Sequence, residues 1–97
     1  MVRRDIPQPQ RAVQAVHAAL AAQQAYPSKS LTQPNLVLCY VENEAALAEE
    51  FERLKAKYVP CCAYTEPDMD GQMTAVATGR LIGPERRKLR HLRLLRD

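Results

Sequence analysis

The run Asn35-Leu36-Val37-Leu38-Cys39-Tyr40-Val41, followed by Glu42-Asn43-Glu44, decides how this chain folds. Six apolar residues in a row are the length of a strand and leave no polar face, which is the pattern of a central strand covered on both sides. Asn43 then stands where a helix N-cap is wanted, and the spacing predicts a helix over 44–57. Leu47, Phe51, Leu54 and Tyr58 recur at helical spacing and form its apolar stripe. On the wet face Glu49 can pair with Arg53 and Glu52 with Lys55, and Glu44 suits the positive end of the helix dipole.

Upstream, residues 1–6 read as a strand stub that Pro7-Gln8-Pro9-Gln10 interrupts. Residues 10–26 read as an alanine-rich helix, with Pro9 tolerated in its first turn and Pro27 ending it. Val13, Val16 and Leu20 are its expected packing face, joined by His17 and Gln24. A polar loop over 27–34 leads back to the apolar strand. Downstream, Val59-Pro60 opens a third strand at 61–65. The acidic segment Glu66-Pro67-Asp68-Met69-Asp70-Gly71 is a loop, and 73–78 is the next strand. A short helix near 85–90 and a last strand at 91–95 complete the chain. The order strand, helix, strand, helix, strand, strand, short helix, strand implies an α/β fold: a single-domain three-layer sandwich, residues 1–97, with a small mixed β-sheet flanked by helices.

The 97 residues suffice for one core and not for two. With 46% hydrophobic and 26% charged residues the composition is globular rather than disordered. One Phe, four Tyr and no Trp leave the core to aliphatic side chains. The net charge of +3 is unevenly spread. Residues 1–40 hold four bases and one acid, residues 41–70 three bases and eight acids, and residues 71–97 seven bases and two acids. If the two ends meet, they make one basic surface beside an acidic middle, which suits a polyanion. Cys39, Cys61 and Cys62 are expected to be reduced thiols of a cytoplasmic protein, since adjacent cysteines rarely pair. No run is long and apolar enough to span a membrane, and no signal peptide is visible.

Familiar catalytic spacings are few. There is no zinc-type ligand spacing, no phosphate-cradling glycine loop and no nucleophile elbow. A Cys–His pair remains an arithmetic option. Gln14 and His17 share one side of the first helix, as a pair satisfied by backbone groups or as substrate-orienting side chains. Glu66, Asp68 and Asp70 follow directly on a strand end, with Thr74 on the next strand. That is the usual address of a site in an α/β fold, and a carboxylate there can orient a water. A solvated acidic turn and a magnesium site are the other readings. Arg86, Arg87, Lys88, Arg90, Arg93 and Arg96 form a C-terminal basic run suited to phosphates, without aromatic residues on which single-stranded bases would stack.

Several short motifs, in order, resemble the second, archaeal and eukaryotic class of peptidyl-tRNA hydrolase, in a small divergent bacterial or phage-like form. Val2-Arg3-Arg4-Asp5-Ile6 is similar to the family's opening strand, and Ala12-Val13-Gln14-Ala15-Val16-His17-Ala18 to its first helix. Gln72-Met73-Thr74-Ala75 and Gly83-Pro84 resemble later segments, and Leu92-Arg93-Leu94-Leu95 the last strand. The resemblance implies hydrolysis of the ester between a peptide, or an N-blocked amino acid, and the 3′ end of tRNA, with no metal and no cofactor. Glu66 then stands for the catalytic acid that orients water. Thr74 holds that water or steadies the oxyanion, and His17 and Gln14 shape the pocket. Arg4, Gln10, Arg11, Asp68, Arg86, Arg87, Lys88 and Arg90 are the expected substrate and RNA contacts. Two positions depart from the family: Gln10 replaces a lysine, and Glu66 on a shorter loop replaces an aspartate. The alternative is a non-catalytic module that binds tRNA or another structured RNA. Edge strands in so small a sheet also favour a homodimer.

Overall fold

The computed structural model describes residues 1–29 and 35–95. Residues 30–34 of the expected loop, and Arg96 of the basic run, lie outside the described residues. Strands β1 (Val2–Arg3), β2 (Cys39–Val41), β3 (Cys61–Glu66), β4 (Gln72–Thr78) and β5 (Arg93–Leu94) alternate with helices α1 (Gln8–Ala25) and α2 (Glu44–Ala56). Two short 3₁₀ helices, Pro67–Met69 and Gly83–Leu89, complete the order. The strands form one sheet in the order β3-β4-β1-β2-β5. β1 and β2 are parallel, as the helical crossover between them requires, and the remaining pairs are antiparallel. The α/β class and the mixed sheet are those expected. A Cα radius of gyration of 12.8 Å is that of one compact body, since about 13 Å is usual for ~100 residues.

Alternation along β4 divides the core into two layers. Val76 joins Leu47, Leu54, Val59 and Cys61 on the α2 side. Ala75 joins Val2 and Ala18 on the α1 side. Helix α2 forms as expected. The Asn43 side chain accepts the Ala46 N–H at 2.9 Å, and Leu47 and Leu54 are fully buried. Its C-terminus closes with Tyr58 N–H on the Lys55 carbonyl and Val59 N–H on the Leu54 carbonyl. That pairing is a Schellman turn, with Val59 packed near Leu54 in the core. Tyr58 therefore does not extend the apolar stripe. It sits in the left-handed region at φ 59° and is 92% exposed. Arg53 pairs with Glu50, one turn back, rather than with Glu49, while Lys55 meets Glu52 as expected.

Helix α1 reverses the expected packing. Gln14, Ala18 and Ala22 are its buried stripe, four residues apart and so on one face. Val13, Val16 and Leu20 lie about half a turn away and are 51%, 57% and 58% exposed. Alanine decides this: small side chains on α1 meet Ala75 and Ala77 of β4, which lets the helix approach the sheet more closely than valine or leucine would.

The apolar run 35–41 is also less buried than its composition predicts. Only Cys39–Val41 pair as β2, and Leu36 and Val37 are 89% and 69% exposed. The strand lies between β1 and a two-residue β5, too short to cover the run's first half.

Candidate active site

Three residues of β3, two apart, meet three of α1. Glu66 faces Gln14, Tyr64 faces His17, and Cys62 lies against the Ala21 carbonyl. The periods explain the match. Four residues of strand span ~13 Å and seven residues of helix ~10 Å, so positions 62, 64 and 66 keep pace with 21, 17 and 14. Helix and strand run in opposite directions, and the start of α1 lies over the end of β3, where Pro67 turns the chain out of the sheet.

The carboxylate of Glu66 is held at both oxygens. Tyr64 donates its hydroxyl to Oε2 at 3.1 Å, and Gln14 donates Nε2 to Oε1 over a longer 3.4 Å. Behind Gln14 the Thr74 hydroxyl donates to Gln14 Oε1 at 2.7 Å. Ahead of it the His17 ring lies parallel to that of Tyr64, centroids 4.4 Å apart and planes 8° off. Gln14 is 4% exposed and Thr74 fully buried, while His17 is exposed and Glu66 half-buried. The cluster thus runs from core to surface as Thr74, Gln14, Glu66 and Tyr64, with His17 at the lip. Partial burial, the hydrogen bond to Glu66 and the negative charges of Glu66 and Asp68 all raise the Tyr64 hydroxyl above its ordinary pKa. Tyr64 is therefore a proton-retaining donor to Glu66 at neutral pH.

A β-bulge sets Thr74 in place. Tyr64 is opposite Ala75 and Thr65 opposite Met73, so Thr74 is the extra residue of β4. The bulge lets consecutive residues Thr74 and Ala75 both face α1. Side chains meet the main chain at this irregularity. Glu44 accepts the Met73 N–H at 2.8 Å, and Arg3 donates to the Met73 carbonyl at 3.1 Å and to Gln72 Oε1 at 2.8 Å. Glu44 was expected only as a dipole partner, and it also props the bulge under the site.

Glu66, Thr74, His17 and Gln14, singled out from the sequence, are therefore brought into one cluster. Thr74 does not face open solvent, so it cannot hold a surface water as expected. It acts behind Gln14. Tyr64 was missed, although a residue two before Glu66 on a strand must share its face. The expected cations are placed otherwise. Arg11 donates to the carbonyls of Ile6 and Arg4, closing the β1–α1 loop. Arg4 lies over the Tyr40 ring, 4.9 Å from its centroid, with Glu42 at 3.8 Å. Gln10 is exposed in the first turn of α1, and Asp68 is exposed in the turn after Glu66.

The C-terminal segment packs against α2. Lys88 donates to the Lys57 carbonyl, Arg53 reaches the Lys88 carbonyl, and His91 meets Glu50 at 2.9 Å. Arg86, Arg87 and Arg90 therefore belong to the α2 side and the Glu66 cluster to the α1 side. Arg3 is buried in a pair with Asp5. The bases of the two chain ends are divided: Arg3 and Arg11 are tied down around the β1–α1 connection, while Arg4 lies over Tyr40, the β2 residue opposite Arg93 of β5.

Among the described residues no group of three His, Cys, Asp or Glu side chains is placed to hold a metal ion, so the magnesium reading of Glu66, Asp68 and Asp70 finds no such cluster. The three cysteines are free. Among the described residues no helix is long and apolar enough to cross a membrane. No family model matches the chain, and no curated protein matches it.

Proposed function

We propose that the chain hydrolyses the ester between a peptide, or an N-blocked amino acid, and the 3′ end of tRNA. The observation that carries this reading is the Glu66 carboxylate, held by Tyr64 and Gln14 and backed by Thr74. An ionised carboxylate has about four acceptor sites, so two hydrogen bonds leave capacity for a water. Glu66 takes a proton from that water as it attacks the ester carbonyl. When the tetrahedral adduct collapses, the proton passes to the departing 3′ oxygen, giving a free carboxylic acid and a 3′ hydroxyl. Gln14 and Thr74 are positioning residues: they fix where the carboxylate points. The exposed His17 ring, braced by Tyr64, is a flat surface on which a terminal base can stack. An open depression over Ala12, Val13, Val16 and Leu20 adjoins it and suits an apolar peptide side chain.

The test is release of the N-blocked amino acid from N-blocked aminoacyl-tRNA in EDTA. Turnover by wild type that falls about 10²–10⁴-fold in Glu66→Gln supports the reading. Folded wild-type protein without turnover overturns it. One observation favours the second reading, an RNA-binding module without catalysis: Arg11, expected to anchor phosphate beside the site, is tied to backbone carbonyls. On that reading Glu66→Gln leaves RNA binding and every biological effect intact.

A further inference from the structure

The second 3₁₀ helix and the residue that caps it carry the densest positive charge of the chain. Residues 83–93 hold five bases, Arg86, Arg87, Lys88, Arg90 and Arg93, against one acid, Glu85. Lys88 is turned inward to the Lys57 carbonyl. Glu50, the nearby acid of α2, is already engaged by Arg53 and His91. Arg86, Arg87 and Arg90 are exposed, make no ion pair among the described residues, and line one open depression with Gly83 and Pro84. The local geometry gathers them. In a 3₁₀ turn side chains three apart eclipse, and Arg87 and Arg90 are so spaced, the Arg90 N–H bonding the Arg87 carbonyl. Gly83, at φ 62°, has nothing within 4 Å of where a Cβ would stand, so the depression's floor is open. Unneutralised guanidinium groups side by side repel one another, and a bridging phosphate relieves that repulsion while accepting paired N–H donors.

We infer that the Arg86–Arg87–Arg90 depression grips the phosphodiester backbone of a helical RNA stem, on the opposite face of the sheet from the Glu66 cluster. The RNA rests on the proposed function; the anion site does not. The depression has no aromatic lining, so it offers no stacking for single-stranded bases, and a regular run of phosphates is the ligand it fits. Reaction and RNA anchoring are then separate in space, and the bound stem must reach round an edge of the sheet to present its 3′ end.

The test is fluorescence anisotropy with a labelled RNA hairpin, read as the slope of log affinity against log salt. Changing Arg86, Arg87 and Arg90 together to Gln is expected to lower the slope by about two to three units, while changing all three to Lys keeps it within about one unit. If the triple Gln variant does not fold, each single Arg→Gln change lowers the slope by about one unit. An unchanged slope and affinity in the Gln variants overturns the inference. So does equal competition by inorganic phosphate or phosphatidylserine vesicles, which makes the site a general anion patch. Glu66→Gln separates the two proposals. If it binds the hairpin with the wild-type slope and wild type never hydrolyses ester, the hydrolase reading fails and the RNA site stands.

Discussion

The Thr74 hydroxyl donates to the Gln14 amide oxygen at 2.7 Å, and this bond dictates which way Gln14 presents itself to Glu66. An amide has one acceptor end and one donor end. With its oxygen committed to Thr74, its NH₂ must face the carboxylate. A buried residue on a bulge thus sets the hydrogen bonding of a half-buried acid it never touches. Thr74→Val keeps the shape and removes the donor, leaving the Gln14 oxygen unpaired in the core. The expected cost is about 1–3 kcal/mol in urea unfolding. On the proposed function kcat falls with little change in KM, and Thr74→Ser restores both stability and kcat. A Val variant as stable as wild type counts against the role given to this bond.

Tyr64 and Glu66 make a second measurable pair. The Tyr64 hydroxyl is raised above its ordinary value by partial burial and by the hydrogen bond and charge of Glu66. Tyrosinate absorbance is therefore expected to show one late component among the chain's four tyrosines. Tyr64→Phe removes that component, and Glu66→Gln moves it down. The sign for stability follows: a raised folded-state pKa favours the protonated form. Its contribution is complete below the unfolded value of about 10 and is lost as pH rises through the folded one. A titration unchanged by Glu66→Gln would separate the two residues.

At the acid end the Arg3–Asp5 pair contributes one of two depressed carboxylates among the described residues, Glu50 beside Arg53 and His91 being the other. Arg3 is 7% exposed and meets both Asp5 oxygens, each at 2.9 Å. The hydrogen bonds from Arg3 are the largest effect and hold the Asp5 carboxyl below its usual value; burial opposes them, and the charge of Arg3 adds a lesser lowering. A depressed carboxylate contributes stability above its unfolded pKa of about 3.9, and that contribution disappears as pH falls through the lower folded value. Asp5 is 41% exposed, so solvent screening reduces the pair to about 1 kcal/mol. Asp5→Asn is expected to lower stability by that amount near neutral pH and to flatten the acid limb of the stability profile below about pH 4. An acid limb as steep as that of wild type would remove Asp5 from the account.

What was legible in the sequence follows from how local each cause is. Asn43 and the 44–56 helix were readable because a cap and an apolar stripe are contained within a few residues. The β3–β4 hairpin was readable from its turn residues. The buried face of α1 was not. Hydrophobicity favours Val13, Val16 and Leu20, but burial there depends on how closely the helix can lie on Ala75 and Ala77, a property of two segments together. Thr74 was found as a chemical group and misjudged in place, because the bulge that turns it inward is a register shift between two strands. The basic run was found as a charge cluster, but its side of the sheet depends on Arg53 and Lys57 of α2.

Tyr58 gives the last prediction, and it concerns the fold alone. It occupies the position after the C-cap of α2 at φ 59°, where an L side chain crowds the following carbonyl and glycine does not. Its ring is 92% exposed and supplies almost no burial to offset that strain. The turn itself is needed, since it delivers Val59 into the core and starts β3 at Cys61. Tyr58→Gly should therefore stabilise the protein. Left-handed strain of about 1–2 kcal/mol is relieved, and the greater freedom of glycine in the unfolded chain takes back ~0.5–1 kcal/mol. A net gain of up to about 1.5 kcal/mol corresponds to a rise in Tm of at most roughly 6–12 °C for a domain of this size. Tyr58→Ala is the control: it deletes the ring but keeps the strained Cβ, so its Tm should stay near that of wild type. If Ala and Gly raise the Tm equally, the ring and not the backbone is what destabilises this turn.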